Sequence, residues 1–120
     1  MEDVRKEQVE ALEVLIEFNQ RLLKNMRIVV KELSGARLED TDALLKSVVD
    51  AMNWEIQVVN GTMNLLNEGE QRLDKEEFNS KVMAVGEAIA SKEDAKMAAA
   101  FKNVIPSFEQ LGEAASVVIQ

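Results

Sequence analysis

Three polar side chains fall in or beside apolar helical seams, and they are where chemistry would have to begin. Asn19 lies within the seam of one segment; Glu55 and Thr62 lie beside the seam of another. A carboxyl removed from water has a raised pKa and can serve as a general acid or base. A core amide can set helix register through paired hydrogen bonds. Glu55 sits at a flank position, and such positions in helical bundles reach water, so a solvated carboxylate is expected there. For Asn19 the expectation is a register-setting contact, with another helix or with its own symmetry mate.

The remaining inventory is thin. The chain has no histidine and no cysteine, which removes imidazole bases, cysteine nucleophiles, thiolate zinc sites and disulfides together. A di-metal carboxylate bundle requires Glu-x-x-His pairs on facing helices, and none can form without histidine. The acids of residues 38–45 lack the alternating spacing of a calcium loop, and no phosphate-cradling glycine loop or dinucleotide fingerprint occurs. No catalytic residue, cofactor or metal is expected. The chain reads as a non-enzyme.

The elements that carry these residues are helices. One proline and five glycines in 120 residues, with 47% hydrophobic and 30% charged side chains, describe a folded helical chain and suit a sandwich of strands poorly. A single domain over residues 1–120 is expected. Apolar residues of the first helix, near 3–34, alternate by three and four through Val9, Leu12, Ile16, Asn19, Leu23, Met26, Val30 and Leu33. Its acids come early and its bases late, which suits the helix dipole, and Glu17–Arg21 has ion-pair spacing. Ser34-Gly35 supplies the stop.

A second helix should run from Asp40 or Thr41 to Gly69. Asp74 with Glu77 marks a capped start for a shorter third helix, with Phe78, Val82, Val85 and Ile89 inward. Ser91 with Asp94 marks the fourth, whose row Met97, Phe101, Val104, Phe108, Leu111, Ala115 and Val118 passes through Pro106 in phase. Proline in a helix interior predicts a kink there. Three long helices and one shorter one give an all-α antiparallel four-helix bundle.

The second helix has too much apolar surface. Leu45, Val49, Met52, Ile56, Val59, Met63 and Leu66 form one seam; Leu44, Ser47, Ala51, Trp54, Val58, Gly61 and Leu65 form another, about half a turn away. The first helix adds Val14, Phe18 and Ile28 outside its own seam. Its polar stripe is narrow, and that of the second helix is rich in Asn and Gln. Apolar surface beyond what one small bundle covers marks an interaction site. The expected contacts are Leu44, Ala51, Trp54, Val58 and Leu65, with Val14 and Phe18 second.

The net charge of −8 argues against nucleic-acid binding, which needs lysine and arginine on phosphates. Residues 35–69 hold the largest acidic excess, with six acids and two bases. No apolar run approaches the roughly 20 residues that cross a bilayer, and the acidic start is unlike a targeting segment. A soluble cytoplasmic protein is therefore expected. The leading functional expectation is a helical interaction module, chaperone-like or an adaptor, that forms a homodimer or captures a partner helix. In size and charge alone it resembles bacterial secretion chaperones that hold an export substrate. Two alternatives stand beside it. One is an acidic inhibitor of the antitoxin or anti-activator type that masks a basic partner; the other is a bundle enclosing a small apolar ligand.

Overall fold

The structure, a computed structural model, describes residues 2–120, with side chains from Val4 onward. Four helices make up the architecture: α1 (Glu2–Leu33), α2 (Thr41–Leu66), α3 (Lys75–Ser91) and α4 (Asp94–Val118). The expected all-α bundle is present. At 1.5 Å per residue, the 32 residues of α1 span about 48 Å, the full long dimension of the 48 × 24 × 19 Å molecule.

Helix α1 is the hub, packed along α2 on one side and α4 on the other; α4 also carries α3, and α2 meets α4 over a short stretch. Both of α1's pairings are antiparallel. Arg5 reaches Glu68, Gln8 reaches Gly61 and Phe18 meets Trp54 along α2, while along α4 Asn19 sits against Gly112 near its end and Leu33 shares a groove wall with Asp94 and Ala98 at its start.

The core explains these pairings. Leu12, Leu15, Asn19, Leu22, Met26, Val29 and Leu33 are the buried row of α1, spaced by three and four. Val9, Ile16, Leu23 and Val30, expected at the seam's centre, are half-buried flanks instead. A helix gripped from two sides buries the row between its flanks, and that shift follows. Phe78, Phe101 and Phe108 are the largest buried side chains, and the Phe78 and Phe108 rings meet at 5.1 Å between α3 and α4.

The turns follow local chemistry. Gly35 takes a positive φ of 113° after α1, the left-handed stop its position predicts. Helix α2 ends at Leu66, three residues before the expected Gly69, because Asn67 leaves the helix to organise the next turn. Its Oδ1 accepts from the Arg72 and Leu73 amides at 2.8 and 2.9 Å, and its Nδ2 donates to the Leu73 carbonyl. Asp74 accepts from the Glu77 amide as the cap of α3. The α1–α2 turn is tied to the start of α4 by Arg37, which forks onto both Asp94 oxygens at 3.0 Å and also reaches Asp42. Those hydrogen bonds hold the Asp94 carboxyl below its ordinary pKa.

Pro106 lies inside one continuous α4. Pro106 and Lys102 are both exposed, so the Lys102 carbonyl that loses its intrahelical donor sits on the solvent side. Water can satisfy that carbonyl. The spacing of Glu17 and Arg21, suited to an ion pair, does not close into one among the described residues; Arg27 pairs instead with Glu109 at 3.1 Å.

Candidate interaction surface

Asn19 does what a core amide is expected to do. Its Nδ2 donates to the Phe108 carbonyl of α4 at 3.0 Å, with the side chain only 3% exposed. Gly112 makes room for it, because a Cβ at that position would stand 2.8 Å from Asn19 Nδ2. Gly112→Ala therefore forces the amide to move and should lower stability by about 1–3 kcal/mol. Chemical denaturation of Gly112→Ala and of Asn19→Ala/Gly112→Ala measures this, and the double variant should recover part of the loss.

Glu55 departs most from expectation. It is fully buried on the core face of α2, and neither carboxylate oxygen has a hydrogen-bond partner. Burial pushes its pKa up from 4.5 to about 8, so at neutral pH it is mainly the uncharged acid. A proton donor sealed from solvent and substrate has no access to a reacting group. Glu55 is thus an unpartnered acid within the core. The expectation of a solvated flank carboxylate is overturned, since α2 buries Val48, Met52, Glu55, Val59, Thr62 and Leu66.

That buried row takes Met52, Val59 and Leu66 from the first seam read from the sequence and is centred between it and the second. Leu45, Val49, Ile56 and Met63 flank it on one side, while Leu44, Ala51 and Val58 flank it on the other, all partly buried. The two seams are the shoulders of one broad face, not opposite faces. Leu65 is 2% exposed and belongs to the core, so it leaves the set of surface contacts. Gly61 makes no close approach; its carbonyl accepts from Gln8 Nε2 at 2.9 Å.

What remains on the second shoulder is a surface shared by α1 and α2. Trp54 is 37% exposed, and its ring meets the half-buried Phe18 ring edge-on at 5.1 Å. Val14 and Ile28, one turn and nearly three turns from Phe18 on the same side of α1, are exposed as well. Ala51 and Val58 lie one turn to either side of Trp54. The Phe18–Trp54 contact joins the two rows into one apolar strip, with Arg21 between its members on α1. Six of the seven sequence-derived contacts (Val14, Phe18, Leu44, Ala51, Trp54 and Val58) thus lie on this shoulder, and Trp54 is partly covered by the chain itself.

A separate groove lies elsewhere. A volume of about 810 Å³ opens between the end of α1 and the start of α4, walled by Val30, Leu33, Ala98 and Ile105. Two of its charged groups are already engaged: Arg27 pairs with Glu109 and Asp94 with Arg37. Among the described residues, no helix is long and apolar enough to cross a membrane.

A family model covers residues 10–114, from the third turn of α1 to the last turns of α4. The chain belongs to the family described as a domain of unknown function, DUF8042. The DUF8042 match includes the whole α1–α2 strip from Val14 to Val58. No curated protein and no solved structure matches the chain.

Proposed function

We propose that this DUF8042 domain is a non-enzymatic interaction module that docks a protein on the outer shoulder of α1 and α2. The observation that carries the reading is the Phe18–Trp54 pair. Two aromatic rings joined across a helix–helix seam, with Trp54 still partly exposed and Val14 beside it, form the kind of anchor that dominates protein interfaces. Their neighbours on α2 are Asn53, Gln57 and Asn60, exposed amides that can both donate and accept at an interface rim. A chaperone-like or adaptor role in the cytoplasm is the finer form of this proposal.

The other two sequence readings gain less support. The exposed acids of the α1–α2 turn are partly used at home, since Asp42 pairs with Arg37. The grooves are open at the surface, whereas a small apolar ligand is held best in an enclosed cavity.

A photo-crosslinking residue placed at Val14 in the native cell tests the proposal. Adducts of defined mass should form from position 14 and be absent from the same probe at Met83, an exposed position on α3. Equal labelling from both positions, or none from position 14, would contradict it.

A further inference from the structure

We infer that the occupant of this surface is a second copy of the same chain, docked with its α1 antiparallel to the first about a two-fold axis near Asn19. The inference rests on reading the α1–α2 shoulder as an interaction surface, and it adds the partner and its orientation.

The argument is the order of charges along α1. Glu7, Glu10, Glu13 and Glu17 precede residue 19; Arg21, Lys24, Arg27 and Lys31 follow it. Two antiparallel helices centred on one residue bring together positions equally distant from it. Glu17 then meets Arg21, Glu13 meets Lys24, Glu10 meets Arg27 and Glu7 meets Lys31, each to within about a residue of axial rise, 1.5 Å. A parallel pair would set acids against acids and bases against bases, so orientation is specified as well as attraction.

Among the described residues, seven of these eight groups are free to make such contacts. All eight are exposed. Among the described residues, only Arg27 of the eight has an ion-pair partner, Glu109. The structure therefore leaves most of both rows unmatched within the chain. Charge elsewhere does not prevent the contact, because residues 1–34 hold six bases and seven acids of a chain whose net charge is −8. Phe18 lies next to the centre of this pattern, with Trp54 against it and Val14 one turn away. Complementary charge along α1, with apolar contacts on its α2 side at the middle of the row, is self-matching about a two-fold axis, as an isologous interface requires.

Charge reversal tests this by solution mass. The wild-type chain should scatter light as twice 13.4 kDa. Glu13→Lys/Glu17→Lys sets bases against bases in the pair, and Arg21→Glu/Lys24→Glu sets acids against acids, so each should be monomeric. An equimolar mixture of the two should pair, and the chain carrying all four substitutions should regain the homodimer alone. Circular dichroism verifies that each variant is helical; the mixture keeps the test decisive should the fourfold variant fail to fold. A wild-type monomer, or a dimer whose mass ignores the reversals, would overturn the inference. A monomer that still crosslinks through Val14 to a foreign chain would refute the second copy and leave the interaction surface standing. A dimer unaffected by the reversals, with no crosslink through Val14, would refute both.

Discussion

Raising the pH from about 6 to about 9 should destabilise this protein steeply, and replacing Glu55 with Gln should remove most of that slope. The folded-state pKa of Glu55, about 8, lies above the ordinary 4.5 that the unfolded chain restores. Between those values the folded state holds a proton that the unfolded state has released. The associated stability is fully present below about 4.5 and is lost as the pH rises through 8. Each pH unit across the window costs up to about 1.4 kcal/mol, large against a total stability of about 5–15 kcal/mol.

The cause is direct. An ionised carboxylate would be stranded among Val48, Met52 and Val59 with no hydrogen-bond partner for either oxygen. Glu55→Gln supplies an uncharged isostere, and Glu55→Leu removes the unpartnered polar group altogether, so it should be the more stable of the two. Urea midpoints for the three proteins across the range check both statements. A wild-type curve as flat as that of Glu55→Gln would show that Glu55 finds a partner or water.

Trp54→Asp should weaken association through the α1–α2 shoulder by at least about 2 kcal/mol, roughly thirtyfold or more in affinity. The substitution deletes the ring that covers Phe18 and places a charge in the middle of the apolar strip. Because Trp54 is 37% exposed, the fold itself should change far less than the interface. Sedimentation of the variant against wild type, with circular dichroism on the same samples, separates the two effects. Loss of helicity in step with loss of binding would mean Trp54 is principally a core residue.

The sequence and the structure agree best where the signal is local. Gly35, Asp74 and the run through Pro106 mark their helix ends and continuity by backbone chemistry that needs no partner. Asn19 was legible as a register residue because a lone amide stands out among Ile16, Leu23 and Met26. Its match to Gly112, some ninety positions away in the chain, was not: a glycine announces room without saying for whom.

Glu55 was misplaced for a geometric reason. Two apolar rows on α2 look like two faces when each is judged alone. Helix α1 covers one edge of the second row and the core takes Met52, Val59 and Leu66 of the first, so the buried face is centred between the two. The recurrence of Val48, Glu55 and Thr62 every seven residues carried that information, hidden by the polarity of two of its members. Leu65 is core as well, at the last turn of α2 just before Asn67.

The same geometry changes what Trp54 means. It is neither fully spare nor fully core: Phe18 packs against its ring, and 37% of the residue is open to solvent. It is also the chain's only tryptophan, so its fluorescence reports this one surface without ambiguity. The emission maximum and iodide accessibility of Trp54, followed with protein concentration alongside the solution mass, test the central claim most directly. A blue shift and protection from iodide that track the rise in mass are the predicted result. Association that leaves the emission and accessibility unchanged, or a chain that stays monomeric with Trp54 open in the presence of its cellular proteins, would contradict the account.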